Sequence, residues 1–562
     1  MEKNTKVIGA FAGIAVLMFG GIAAGLSITK NIGKSDSAIS SEKAMKSLEK
    51  KVSKINVSNV EARKEQVELD ASSLEEELPD ISKYPLSVEN TTDTYIEIFS
   101  STEKSGEEND GWLNDVAEAF NGSGIIVDGQ KVSVAVRPIA SGMGMDYISS
   151  GKYKPDLYTP SNELWGEMLK SNGVTINLEE EKLLENVAGV LLSKKKHNEL
   201  IDKYGSINMK TITQATADSE ISMGYTNPFA SATGLNFLIS TLLNFDPKDP
   251  LSDTAVSGFE SFQSNVPFVA YTTLQMRESA KSGVLDGFIM EYQTYINSAD
   301  LRGSYIFTPF GVEHNSPVYS IGNLSSQKKQ ITDEFLEFCE KDEYQQLAVK
   351  YGFDYPDNYI SEVPDVSGDT LIQAQHLWKE NKDGGKPITA VFVADISGSM
   401  LGEPLNELKR SLLNGAQYIN SDNSVGLVTY ATDVYVNLPI AKFDINQRSL
   451  FAGAVTDLDA SGSTATFDAI LVALNMLMNE KNQNPDIKPM LFVLSDGETN
   501  IGNDLSDAQG ILEALKVPVY TIGYNADISA LDKISNINEA ASINADSDDV
   551  VYQLKNLFNA QM

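Results

Sequence analysis

VADISGSM, residues 393–400, sets an aspartate and two serines at alternate positions just where an apolar strand stops. Taken alone, the motif reads either as a helix cap with a serine-rich turn or as oxygen ligands for a divalent cation. Its surroundings decide the fold. ITAVFVAD (388–395), PMLFVLSDG (489–497) and VPVYTIGYN (517–525) are near-continuous apolar strands, and SVGLVTYATDVYV (424–436) is a strand or hairpin. Between them lie the helical patterns PLNELKRSLLNGAQYI (404–419), TFDAILVALNMLMNE (466–480) and LSDAQGILEALK (505–516), with two more helices expected from Ile528 and Val550. Apolar strands alternating with amphipathic helices predict a parallel sheet covered on both faces, a doubly wound α/β domain over 388–562. Such sheets place ligands at the carboxyl ends of their strands. Three polar loops converge there: Asp395, Ser397 and Ser399; Gly462, Ser463 and Thr464; and Ser495, Asp496 and Gly497. Their carboxylates and hydroxyls are hard oxygen donors, suited to Mg²⁺, with Ca²⁺ or Mn²⁺ as alternatives. The convergence favours the cation over the turn.

In these residues the segment from Ile388 to Met562 resembles a von Willebrand factor type A domain, a Rossmann-like fold. Asp395, Ser397, Ser399, Thr464 and Asp496 match that family's metal-ion-dependent adhesion site without departure. The resemblance implies that the serines and the threonine hold the metal, directly or through water, while the aspartates act through water. It also implies a partner protein whose Glu or Asp side chain completes the metal's ligands. On this reading Asp395→Ala abolishes metal-dependent binding and leaves the fold intact. No general base or nucleophile pair accompanies the motif, so no enzyme is expected.

The region 94–354 is a second α/β domain. Its carrying stretches are YIEIFSSTEKSG (95–106), IASGMGMDYISSGKYKPDLYTPSNELW (139–165), GYTNPFASATGLNF (224–237) and YIFTPFGVEHNSPVYSIG (305–322). ITDEFLEFCEKDEYQQLAVKYGF (331–353) supplies closing helices. Together they resemble bacterial extracellular solute-binding proteins, in which two α/β lobes flank a cleft. That resemblance implies cleft-facing loops at Ser100, Ser101 and Thr102, at Ser141 and Gly142, and at Thr226 and Asn227 near a helix start at 231–234. Glu291 and Tyr292 would add selectivity for a small solute or peptide. Each of these residues also has a local reading as a cap or turn former.

The rest of the chain bounds the function. Residues 7–28 (VIGAFAGIAVLMFGGIAAGLSI) carry no charge and are long enough to cross a ~30 Å hydrocarbon core as a helix. Residues 1–34 are therefore read as a cytoplasmic tip and membrane anchor, with signal-peptide cleavage and secretion as the alternative. Residues 35–93 read as a polar, partly helical stalk in which Met45, Leu48, Val52 and Ile55 keep helical spacing, and 355–387 as a linker with one short helix. A net charge of -34 argues against a nucleic-acid partner. The basic run Lys194 to His197 reads as a solvated helix end. Cys339 is the only cysteine, which rules out an intrachain disulfide framework and a Cys-based zinc site. The expectation is a single-pass, extracytoplasmic bacterial binding protein with adhesion, scaffolding or sensing roles. Two alternatives stand beside it: a solute-binding component of a transport system with the A-type domain as docking accessory, and a chelatase-type assembly factor working with an ATPase.

Overall fold

The computed structural model describes residues 40–67, 74–266, 268–270, 285–355, 359–497, 499–524 and 542–545, with isolated positions at 276, 554, 557, 558 and 562. The apolar segment 7–28 lies outside them, as do the helices expected from Ile528 and Val550. Among the described residues no helix is long and apolar enough to cross a membrane. The chain divides into two compact units, one of residues 1–71 with 387–555, the other of residues 72–386 with 556–562. The second unit is thus inserted into the sequence of the first.

The chain enters the first unit with helix α1 (Ser41–Val52) and strand β1 (Val57–Asn59). In α1 the Ser40 side chain accepts from Lys43 N, Glu42 sits in the first turn, and Lys50 and Lys51 occupy the last. These placements satisfy a free amide and complement the helix dipole.

The inserted unit has two lobes. In the first, strands β2 (Tyr95–Ser100), β3 (Ser133–Pro138), β4 (Leu157–Thr159), β5 (Ile176–Glu180) and β11 (Val318–Ile321) form a five-stranded sheet in the order β3-β2-β4-β11-β5. Helices α2 (Trp112–Ser123), α3 (Ser141–Ser150), α4 (Leu164–Ser171) and α7 (Ser326–Cys339) belong with it. In the second lobe, β6 (Val187–Ser193), β7 (Met223–Thr226), β8 (Phe268–Ala270), β9 (Gly287–Glu291) and β10 (Tyr305–Glu313) run in the order β8-β7-β9-β6-β10. Helices α5 (Ala232–Phe245) and α6 (Asp253–Gln263) pack beside that sheet. The basic run opens the helix Lys194–Tyr204, where Lys195 and Lys196 pair with Glu199.

Two expectations are corrected here. Residues 74–93 are not a free stalk: Leu78 is buried, Tyr147 Oη donates to Pro79 O at 2.8 Å, and Val88 bridges to Val136 in the first lobe's sheet. The short helix expected in the linker 355–387 is present as α8 (Gly368–Asn381), but it does not span free: its Leu371, Ala374 and Trp378 are fully buried against the inserted unit. In both segments apolar side chains spaced along a mainly polar stretch found a surface to cover.

The first unit resumes with β12 (Ile388–Asp395), α9 (Glu403–Gly415), β13 (Ser424–Tyr430), β14 (Val434–Lys442), α10 (Ile445–Thr456), α11 (Thr466–Gln483), β15 (Lys488–Ser495), α12 (Leu505–Leu515), β16 (Val519–Tyr524) and β17 (Ser542–Ala545). Its seven-stranded sheet runs β1-β14-β13-β12-β15-β16-β17. Every residue of β12 is buried, as a strand with helices on both faces requires. The stretch 424–436 resolves as a hairpin, β13 turning through 431–433 into the start of β14, with which it pairs antiparallel.

The stalk reading also fails for residues 41–67. Strand β1 pairs in parallel with β14, Val57 opposite Val434, and forms the edge of the sheet. Ala44 and Leu48 of α1 are buried, and Leu48 joins the core made by α11 and α12. Lys51 Nζ lies 2.6 Å from Asp507 Oδ1. Beyond β1 the chain runs along α10, where Ser449 Oγ donates to Glu65 O at 2.7 Å. A Cβ on Gly453 would lie 1.9 Å from Arg63 O, so only glycine admits that crossing.

Candidate functional site

Strand β12 delivers Asp395 to the carboxyl edge of the sheet, fully buried between the ends of its neighbours. Tyr430 Oη, at the end of β13, and Ser495 Oγ, at the end of β15, donate to Asp395 Oδ2 at 3.2 and 2.7 Å. Ser397 N donates to Oδ1 at 2.8 Å. Burial, followed by the Asp395 charge, holds the Tyr430 hydroxyl well above its ordinary range, so it remains a donor. From this anchor the side chains step outward. Ser397 Oγ is 3.1 Å from Ser399 Oγ, and Ser399 Oγ donates to Asp496 Oδ1 at 2.9 Å. Ser397 is buried, Ser399 exposed and Asp496 half-buried, so the chain of oxygens leads from the core to solvent. Burial lifts the Asp496 carboxyl above its usual range; the Ser399 hydroxyl opposes this and the Asp395 charge adds to it.

Thr464 comes from the neighbouring loop. Gly398 N donates to Gly462 O at 3.0 Å, which holds that loop against the DISGSM turn. Gly462 has φ +84°, and a Cβ there would meet Thr432 Oγ1 at 2.7 Å, so the turn depends on glycine. Thr464 N donates to Asn500 Oδ1 at 2.9 Å, and Thr464 O accepts from Thr499 Oγ1 at 3.0 Å. The structure links Asp395, Ser397, Ser399 and Asp496 in one hydrogen-bonded run and sets Thr464 on the loop beside it. Tyr430 and Asn500 were not foreseen, because a strand-terminal tyrosine and a loop asparagine carry no signal of their own. Among the described residues no group of three or more His, Cys, Asp or Glu side chains could hold a metal. The donor set here is of another kind, two carboxylates and three hydroxyls, and it fits a hard divalent cation.

The expectation for Asp395→Ala changes with this geometry. The carboxylate accepts from three donors inside the core, and an alanine strands them. Each stranded donor costs about 1–3 kcal/mol, so the variant weakens the fold as well as the site.

In the inserted unit, Ser100, Ser101, Ser141, Thr226, Asn227 and Glu291 are buried where the lobes meet, and Thr102 is half-buried. Gly142 N donates to Ala230 O at 3.1 Å from lobe to lobe, and a Cβ on Gly142 would lie 2.1 Å from Phe229 O. Charged side chains that sequence reasoning missed fill the interior. Lys104 is fully buried; its Nζ contacts Ser101 Oγ and donates to Thr159 O at 2.9 Å. Glu103 Oε1 accepts from Ser101 Oγ at 2.5 Å and Ser161 Oγ at 2.7 Å. Burial pushes the Lys104 ammonium below the usual lysine range, against the pull of Glu103 and Glu291. For Glu103 burial is the largest influence and acts upward, but the Lys104 charge together with the hydrogen bonds from Ser101 and Ser161 outweighs it, and the carboxyl lies below its ordinary range.

Glu291 accepts from Asn186 Nδ2 at 2.8 Å and Thr233 Oγ1 at 3.1 Å, and lies 3.1 Å from His314 Nδ1. His314 Nε2 faces two amide donors, Asn162 Nδ2 at 3.1 Å and Asn236 Nδ2 at 3.2 Å. That arrangement puts the imidazole proton on Nδ1, toward Glu291. Two buried atoms in these loops, Asn162 Oδ1 and Asn227 Nδ2, have no hydrogen-bond partner. Tyr292 joins an aromatic cluster instead, with ring centroids 5.5 Å from Phe307 and 4.8 Å from Tyr355.

Comparison with known proteins follows the two units. Residues 390–560 match the von Willebrand factor type A domain and residues 107–354 the bacterial extracellular solute-binding protein family. The chain is 27% identical over 154 residues to bovine inter-alpha-trypsin inhibitor heavy chain H3, covering 25% of this chain and 17% of that protein. It is 26% identical over 147 residues to the Synechocystis protein sll0103, covering 26% of this chain and 34% of that one. The chain thus spans well under half the length of these relatives. Among solved structures, a von Willebrand factor type A protein from Catenulispora acidiphila aligns over 31% of this chain and 42% of its own, at 16% identity and TM-score 0.29. The sulfate-binding protein SubI of Mycobacterium tuberculosis aligns over 47% of this chain and 88% of its own, at 15% identity and TM-score 0.34. The chain therefore carries a von Willebrand factor type A domain and a bacterial extracellular solute-binding protein domain, each matched over part of its length.

Proposed function

We propose that the protein is an extracytoplasmic binding protein with no catalytic role, anchored to the membrane by residues 7–28. Its A-type domain engages a partner protein at the Asp395–Ser399–Asp496 edge, and its inserted domain takes a small solute between its lobes. The carrying observation is the hydrogen-bonded run from buried Asp395 through Ser397 and Ser399 to half-buried Asp496. Tyr430, Ser495 and the Ser397 amide fix Asp395, so the two serine hydroxyls are presented on a rigid base. Ser397, Ser399 and Thr464 would hold a divalent cation, Mg²⁺ before Ca²⁺ or Mn²⁺, with Asp395 and Asp496 behind them. Bound through mostly neutral oxygens, that cation would supply attraction for a carboxylate of the partner.

The test is a pull-down of envelope proteins with the full chain, with Mg²⁺ and with chelator, alongside Ser399→Ala. Ser399 is exposed, so its loss removes a ligand oxygen and spares the core. Capture that persists equally in chelator sinks the reading. Protease shaving of intact cells tests the location, and a chain untouched until lysis refutes it. For the inserted domain, the support is the pair of unpartnered atoms Asn162 Oδ1 and Asn227 Nδ2, which a polar solute could satisfy.

A further inference from the structure

Helix α8 lies beyond the stretch that matches the solute-binding family, yet it is bound to both lobes of that domain. Its first turn belongs to the first lobe. A Cβ on Gly368 would lie 2.1 Å from Glu167 O and 2.6 Å from Ser171 Oγ, so α8 meets α4 at a distance only glycine allows. Its last turns belong to the second lobe. Gln375 Nε2 donates to Pro228 O at 2.8 Å, and Trp378 Nε1 donates to Tyr225 Oη at 2.6 Å, which in turn donates to Gln263 Oε1 at 2.6 Å. The Trp378 ring stands 5.9 Å from that of Phe229. Just past the helix, Gly384 at φ +64° would place a Cβ 2.5 Å from Ser264 N.

The segment that α8 grips is the loop after β7. Pro228 and Phe229 touch α8, while the adjoining Ala230 O accepts from Gly142 of the first lobe. The same turn therefore touches the opposite lobe on one side and α8 on the other. Gly368 and Trp378 lie about 15 Å apart along the helix at 1.5 Å per residue, enough to reach from one lobe to the other. A rigid helix fixed at both ends cannot follow two bodies that separate.

We propose that α8 is a built-in strap that holds the two lobes closed, so that opening requires the Gln375–Trp378 end to leave the second lobe. Closure is then a property of the chain itself, and any solute has to enter against the strap. The strap does not depend on which solute the cleft accepts.

The experiment measures lobe separation by single-molecule energy transfer in the full chain. Dyes are placed on Ile126→Cys in the first lobe and Ile201→Cys in the second, both exposed in the native protein. The native Cys339 is fully buried, and burial pushes its thiol far above the usual range, so it does not compete for label. The parent chain is expected to show one short distance without added solute. Gln375→Ala and Trp378→Phe each remove one hydrogen bond and should raise the population of a longer distance on the order of tenfold. Gln375→Ala deletes no ring from the core and keeps the test valid if the tryptophan variant misfolds. The proposal is overturned if the parent already exchanges between both distances, or if Gln375→Ala leaves the distribution unchanged.

Discussion

Asp395 and Ser399 stand four residues apart and do different work. Asp395 is the buried acceptor of three donors, and Ser399 is the exposed end of the same run. Their alanine variants should separate. Ser399→Ala is expected to lower Mg²⁺ affinity while leaving the melting temperature within a degree or two of the parent; Asp395→Ala should also lower the melting temperature by several degrees. Calorimetric titration with Mg²⁺ and thermal melts in chelator check both. In the inserted domain, Lys104 sets a pH dependence. Its folded-state pKa lies below the unfolded value, so between the two the unfolded chain binds more protons and stability rises with pH. Denaturant melts should show that rise on the approach to the ordinary lysine range near about 10, and Lys104→Met should flatten it. The alternating Asp, Ser and Ser were legible in the sequence because their spacing is local. Lys104 and Glu103 were not, since nothing in EKS says that a lysine will be buried under Ser101 and Thr159.

Helix α1 shows the same limit one level up. The spacing of Met45, Leu48 and Val52 announced a helix with an apolar stripe, but not what the stripe covers. Its cover, α11 and α12, lies at the far end of the sequence. The strands of the sheet were readable because an uncharged run such as ITAVFVA (388–394) can only be a buried strand or helix, and its length favoured the strand. Strand β1 offered no such signal, with all its residues exposed and only three residues long. If 41–67 were a stalk, changes in it would be silent. Leu48→Ala is instead expected to destabilise the A-type unit by about 2–5 kcal/mol, read as a shift of its unfolding midpoint in urea.

At the scale of the molecule, the sheet that carries the Asp395, Thr464 and Asp496 loops is assembled from both ends of the chain, with the other unit inserted between. Asn56 and Asp433, which hydrogen-bond beside β1 and β14, are 377 residues apart in sequence. This has a consequence for biosynthesis. At about 5–20 residues per second, β1 leaves the ribosome roughly 20–75 s before its partner strand exists. During that interval the backbone of β1 is an unpaired strand edge of the kind that aggregates, and the apolar stripe of α1 with Leu48 is uncovered. Lys50, Lys51 and Lys54 stand close by as charged gatekeepers. Nascent chains stalled at residue 434 should accordingly be cut by protease within 41–67 while the completed insert resists digestion. Protection of 41–67 is expected to appear only once β14 and the helices after it have been made.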